Sequence, residues 1–269
     1  MKIAFIGGGN MGEAMLSATL DKGLSSPQAI SVSDIDESRR RHLGQKYSVA
    51  VTNDNRHAAD KSEVVVLSIK PQNLAEVMAG LCGQLKPSQL VLSIIAGTTI
   101  QTLSSGLDHN RVVRAMPNTP AQIGEGISVW MTTPEVTEDQ KRWVGSILGA
   151  MGREIYVHDE KYIDMATAVS GSGPAYFFFF IEALVEAAVH IGLPSDVARE
   201  LAVQTMLGSG HLIQKSGNEP SELRRMVTSP GGTTAEALLQ LEKGEFPDLI
   251  RQAVSAAYEK AKELGSKQQ

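Results

Sequence analysis

Ile3-Ala4-Phe5-Ile6-Gly7-Gly8-Gly9-Asn10-Met11-Gly12-Glu13-Ala14-Met15-Leu16 is the stretch that decides the fold. Ile3–Ile6 is a short unbroken apolar run, as expected of a parallel strand covered by helices on both faces. A Gly-x-Gly-x-x-Gly follows, and Glu13 to Leu20 then has helical composition. Glycines alone would be a weak signal; a strand before them and a helix after them make a dinucleotide fingerprint. Gly7 allows the tight turn, Gly9 lets a pyrophosphate approach the backbone, and Gly12 lets helix and strand pack closely. The next strand, Ile30-Ser31-Val32-Ser33, ends at Asp34, about 20 residues beyond the fingerprint, where such a fold places its ribose-binding carboxylate. Asp34 suits a free 2′-hydroxyl and opposes a 2′-phosphate, while Ser33, Arg39 and Arg40 stand close enough in sequence to offset that. A nicotinamide dinucleotide is expected, and NADH against NADPH stays open.

The alternation continues through Val64–Ile69, Leu90–Ile95 and Arg111–Met116, three apolar runs of strand length. They end at Lys70-Pro71, Ala96-Gly97 and Pro117-Asn118-Thr119-Pro120. Ligands of an open parallel sheet bind off the carboxyl ends of its strands, so these three ends are candidate cofactor loops. Lys70 reads equally as a phosphate ligand or a surface lysine. A strand pair around Ile127–Met131 and Glu154–Val157, with a helix between, completes this domain. After about Asp159 strand signals vanish. Helical periodicity takes over at Ile163–Val169, Ala175–Ile191, Ser195–Lys215, Ser221–Val227, Ala235–Leu241 and Pro247–Leu264. Ser170-Gly171-Ser172-Gly173-Pro174 should break the first of these and start the second. The expected architecture is α/β, with a Rossmann dinucleotide-binding domain over 1–159 and an all-helical domain over 160–269.

Composition narrows the function. A net charge of −5 provides no domain-wide basic patch, so nucleic acid is not an expected partner. One cysteine, Cys82, excludes an internal disulfide and a cysteine-cluster metal site, and the six histidines have no metal-ligand spacing. No metal is expected. Met1 to Gly7 lacks the long apolar core of a signal peptide, which points to the cytoplasm. The most apolar segment, Pro174 to Gly192 with Phe177-Phe178-Phe179-Phe180, carries Glu182, Glu186 and His190 at four-residue steps. A polar stripe with two carboxylates fits a helix deeply buried against another subunit better than one in lipid.

Thr228-Ser229-Pro230-Gly231-Gly232-Thr233-Thr234 precedes strong helix material, Ala235 to Glu242. Two readings stand side by side. One is a tight turn capped by Thr233 or Thr234. The other is a helix start whose free N–H groups and dipole hold a small anion beside two hydroxyls.

These motifs together resemble the pyrroline-5-carboxylate reductase family. Ser170-Gly171-Ser172-Gly173-Pro174-Ala175-Tyr176 and Ser229-Pro230-Gly231-Gly232-Thr233-Thr234 carry the likeness, behind Gly7-x-Gly9-x-x-Gly12. Val66 to Pro71, Ala96-Gly97 and Met116 to Pro120 fall in the family's order too. The resemblance spans essentially the whole chain. It implies reduction of the cyclic imine L-1-pyrroline-5-carboxylate to L-proline by NADPH or NADH, the last step of proline biosynthesis. It also implies a dimer formed through the helical domain, in some members built into a ring of dimers. By the same resemblance the cofactor falls to Ile6, Gly7, Gly8, Gly9, Asn10, Met11 and Gly12, to Ser33 and Asp34, and to Asn55. Ser68, Ile69, Lys70, Pro71, Ile95, Ala96 and Gly97 complete that set. Substrate contacts fall to Ser229, Gly231, Gly232, Thr233, Thr234 and Glu160, with Thr234 the catalytic hydroxyl. Met226 departs from the pattern, standing where some relatives have a polar residue that touches the ligand.

Two other readings compete. β-Hydroxyacid dehydrogenases open with a similar glycine run but carry a catalytic lysine on the long helix, and Ala175–Ile191 has no lysine. A dinucleotide-binding sensor without turnover would have no use for the Ser229–Thr234 turn.

Overall fold

A computed structural model describes residues 1–266, and among them eight strands form one sheet. They are β1 (Ile3–Ile6), β2 (Ile30–Ser33), β3 (Ala50–Thr52) and β4 (Val64–Leu67). Then come β5 (Leu90–Ser93), β6 (Val112–Met116), β7 (Gly126–Thr132) and β8 (Gly152–Tyr156). The order across the sheet is β3-β2-β1-β4-β5-β6-β7-β8. The first six run parallel, β7 is antiparallel to β6, and β8 is parallel to β7. The connection reverses direction between β1 and β4, the switch point where an open α/β sheet leaves a crevice.

Six helices connect and cover the sheet: α1 (Asn10–Asp21), α2 (Glu37–Tyr47), α3 (Asn55–Ala59), α4 (Leu74–Leu81), α5 (Ile100–Leu107) and α6 (Glu138–Ala150). Successive strand residues point to opposite faces, so β1 feeds two cores at once. Ile3 and Phe5 pack with Met15, Leu16 and Leu43 on one face. Ala4 and Ile6 pack with Leu74, Leu81 and Leu103 on the other. Burying such side chains contributes about 1.5–3 kcal/mol each, which is why β1, β4 and β5 are apolar at nearly every position. Strand β3 was not expected. It is a three-residue edge strand with Ala50 and Val51 exposed, too short to show a period and needing no apolar face.

The chain clusters into two compact units. One is Met1–Pro174 with the segment that starts at Ala256, and the other is Ala175–Ser255. The later helices are α7 (Lys161–Ala166), α8 (Gly173–His190), α9 (Ser195–Ser216), α10 (Pro220–Met226), α11 (Thr233–Lys243) and α12 (Phe246–Ser266).

One local detail was not anticipated. Ser170–Pro174 does mark the junction, with Ser172 outside the helical run and α8 starting at Gly173, but α7 reaches it through a π turn at Thr167–Gly171. Thr167 Oγ1 donates to the Ile163 carbonyl at 2.8 Å and Ser170 Oγ to that of Ala166 at 2.9 Å, so side chains stay inside the helix rather than capping a new one. The Phe177–Phe180 helix, expected to be buried against another subunit, leaves these four rings between 44% and 73% exposed in the single chain, as that expectation requires.

Candidate functional site

The fingerprint loop forms an open cradle. Gly7 has φ +100°, and a Cβ there would lie 2.6 Å from the Ser68 carbonyl oxygen, so only glycine fits. Ser68 Oγ in turn donates to the Gly7 carbonyl at 2.7 Å, fastening the end of β4 to the loop. A Cβ on Gly12 would lie 2.6 Å from the Gly7 carbonyl oxygen, the close helix approach the spacing implied. Gly9 is the opposite case, with nothing within 4 Å of where its Cβ would stand. Gly9 also begins α1 with no side-chain cap, leaving the first N–H groups of that helix for an anion. Open space above one glycine and free donors behind it fit a dinucleotide pyrophosphate.

A cleft of about 780 Å³ runs from this loop across the carboxyl ends of β2, β3 and β4. Of the residues expected to touch the cofactor, it gathers Gly7, Gly9, Asn10, Ser33, Asp34 and Asn55. Ser68, Ile69 and Lys70 form its other wall. Ser33 Oγ donates to Asn55 Oδ1 at 2.6 Å, which turns the Asn55 amide nitrogen away from the strand. Ile6, Gly8, Met11, Gly12 and Pro71 support the cleft without lining it. Ile95 is buried in the sheet core, and Gly97 (φ +74°) is covered by α12, since a Cβ there would lie 2.7 Å from Leu264 Cβ. Ala96 between them is half-buried. Asn53, Asp54 and Arg56 also line the cleft and were not anticipated. Their signal was Asp54 as an Asx cap, accepting from the N–H groups of Arg56 and His57, hidden behind the unrecognised β3.

Asp34 is held rigidly. Its Oδ2 accepts from Gly8 N at 2.7 Å and its Oδ1 from Asp36 N at 2.9 Å. The arginines near it are engaged elsewhere. Arg39 bonds the Gly8 carbonyl and pairs with Glu13, while Arg40 Nη1 donates to the carbonyls of Asp34 (2.7 Å) and Ile35 (3.0 Å). Burial alone would raise the Glu13 pKa, but hydrogen bonds from Lys46, Tyr47, Arg39 and His42 lower it to about 2. Asp36 caps α2 and accepts from Ser38 and Arg39, bonds that hold its carboxyl below the usual range.

Glu160 lies at the start of α7. Its Oε1 accepts from Arg114 Nη1 at 2.8 Å and from Ile100 N at 2.7 Å. Arg114 also pairs with Asp164.

In the second unit, Gly231 has φ +69°, and Gly232 rather than a threonine takes the cap position of α11. No side chain caps this helix, so the capped-turn expectation fails and the first-turn N–H groups lack intrahelical acceptors. Ser229 Oγ lies 2.4 Å from where a Cβ on Gly232 would stand, so a hydroxyl sits against the turn. Thr234 is half-buried, Thr233 exposed, and Met226 is 71% exposed.

Comparison with known proteins adds the following. A family model described as pyrroline-5-carboxylate reductase dimerisation matches residues 160–264, and one described as NADP oxidoreductase, coenzyme F420-dependent, matches residues 2–97. A pyrroline-5-carboxylate reductase of Synechocystis is 41% identical over 267 residues, covering 99% of each chain. The structure of one from Coxiella burnetii is 38% identical with a TM-score of 0.90, covering 98% of both chains. The Plasmodium falciparum enzyme, solved with NADP bound, is 31% identical with a TM-score of 0.89 over the same shares.

Proposed function

The chain belongs to the pyrroline-5-carboxylate reductase family, and we propose that its two glycine-rich turns serve the two ligands of that family's reaction. The chain is an NAD(P)H-dependent oxidoreductase that reduces the C=N bond of L-1-pyrroline-5-carboxylate to give L-proline. The observation that carries this is likeness to reductases of that name over 99% of the chain, both units included.

We assign the dinucleotide to the cleft, with Gly9 and the α1 start facing the pyrophosphate and Asp34 the adenosine ribose. Asn55, Ser68, Ile69 and Lys70 form the walls, and Ala96 adds backbone. When bound, the reduced nicotinamide supplies the hydride. The substrate carboxylate goes to the uncapped start of α11, where N–H groups and the helix dipole favour an anion. Thr234 hydrogen-bonds the ring nitrogen and Ser229 supports the turn. Glu160 contacts substrate through Oε2, since both of its contacts within the chain fall on Oε1. The ring nitrogen enters protonated; hydride adds at the adjacent carbon and the C=N π pair moves onto nitrogen, giving the secondary amine. This needs no strong acid and no metal. The protein's part is to hold the acceptor in line, and positioning supplies much of such a barrier reduction.

We assign the exposed Phe177–Phe180 face to a second copy of the chain. Lys161–His190 is long and apolar enough to cross a membrane, but Glu182 and Glu186 make a lipid setting costly. A homodimer is the assembly this supports, and on the family resemblance alone we extend the proposal to a ring of dimers in the cytoplasm. The test is consumption of NADH or NADPH by the purified chain with pyrroline-5-carboxylate, with proline identified as product. No consumption with either nucleotide overturns the assignment.

A further inference from the structure

We infer that this chain prefers NADH to NADPH, and that Asp34 sets the preference. The inference rests on the dinucleotide cleft assigned above and goes beyond it by naming the nucleotide.

A carboxylate has about four lone-pair sites. The N–H groups of Gly8 and Asp36 take one on each oxygen of Asp34, at 2.7 and 2.9 Å. Two remain, matching the two donors of an unmodified ribose diol. A 2′-phosphate offers no such pair of donors and brings about two negative charges. The bonds from Gly8 and Asp36 also prevent Asp34 from swinging away to admit it.

The surroundings do not compensate. Phosphate sites beside this turn use the free start of a helix or a spare guanidinium. Here the start of α2 is already closed by the Asp36 carboxylate, which accepts from the N–H groups of Ser38 and Arg39. Arg39 is taken by Glu13 and the Gly8 carbonyl, and Arg41 pairs with Glu37. Arg56 spends Nε on the Gly80 carbonyl. Arg40, beside the turn, is anchored through Nη1 to the carbonyls of Asp34 and Ile35. One partly engaged guanidinium then stands beside the Asp34 and Asp36 carboxylates. Repulsion wins.

The test is an equilibrium titration of the full chain with NADH and with NADPH, followed by nucleotide fluorescence, on the unmodified protein and on Asp34→Asn and Asp34→Ser. The unmodified chain should bind NADH at least about tenfold more tightly. Asp34→Asn removes the charge while keeping a carbonyl oxygen for the loop, and Asp34→Ser removes the charge and shortens the side chain to a single hydroxyl. Each should move the NADH:NADPH affinity ratio at least about tenfold toward NADPH. Equal or tighter NADPH binding by the unmodified chain overturns the inference and leaves the cleft assignment standing. An NADH preference that both variants retain overturns the role of Asp34. Binding of neither nucleotide removes the cleft assignment itself, and the inference with it.

Discussion

Arg114 Nη1 donates to Glu160 Oε1 across 2.8 Å, joining the buried middle of β6 to the start of α7. Arg114 is the largest fully buried side chain among the described residues, and its second arm meets Asp164. Removing the guanidinium would leave two carboxylates facing each other without a cation. Arg114→Leu should destabilise the chain by about 3–5 kcal/mol, read as a lowered denaturation midpoint. Glu160→Gln, which keeps an acceptor for Ile100 N–H, should cost only about 1–2 kcal/mol. If Glu160 also meets substrate, this variant raises KM for the imine with dinucleotide affinity unchanged.

Thr234→Ala should lower kcat by about tenfold or more, because the hydroxyl holds the ring nitrogen and with it the acceptor carbon in line for the hydride. Dinucleotide affinity should stay within error, because the hydroxyl is assigned to the imine alone. Steady-state kinetics with a separate nucleotide titration measures both, and an unaltered kcat takes Thr234 out of the chemistry.

Gly9 and Gly12 should separate binding from folding. A methyl on Gly9 meets no protein atom, so Gly9→Ala should keep stability within about 0.5 kcal/mol while weakening nucleotide binding. A methyl on Gly12 runs into the Gly7 carbonyl and Ser68 Oγ, so Gly12→Ala should cost about 1–3 kcal/mol of stability. Thermal melts paired with fluorescence titrations distinguish the two.

Glu13 gives a pH signature. Its pKa is held near 2 in the folded chain, below its ordinary value of 4.5, so it binds a proton less readily folded than unfolded. The stability it contributes is present above pH 4.5 and lost as pH falls toward 2. Allowing for solvent screening of the exposed cations around it, that contribution is about 1–2 kcal/mol. Glu13→Gln should melt lower than the unmodified chain at neutral pH, and the gap should close on acidification.

Phe179 is 73% exposed in the single chain, so Phe179→Glu should leave the fold of one subunit intact. Sedimentation should then show a shift toward monomer. An unchanged assembly moves the subunit contact off this helix.

The parallel sheet was legible because its central strands are buried on both faces and therefore must be written in apolar residues, as Ile3–Ile6 and Val64–Leu67 are. β3 was not, because an exposed edge strand has no such obligation, and with it went the cleft contacts at Asn53, Asp54 and Arg56. Glycines announced a permissive backbone at 231 and 232, yet whether a neighbouring hydroxyl would bend back to cap α11 depends on local geometry that composition does not record. The same holds at Gly171, where a glycine-serine run marks irregularity without saying whether a helix stops or loosens into a π turn. The polar stripe on α8 predicted covering by another subunit; in the single chain Glu182, Glu186 and His190 are exposed, because residues meant for a partner look like core residues in sequence.

The close packing of Leu264 on Gly97 bears on biosynthesis. The loop after β5 is made in the first half of the chain, but the helix that shields it emerges only near the end. A nascent polypeptide that has already paired its first six strands must therefore wait, with that loop uncovered, until translation has passed through the whole of the second unit. Fragments cut at Pro174 would be stranded in that same unfinished condition.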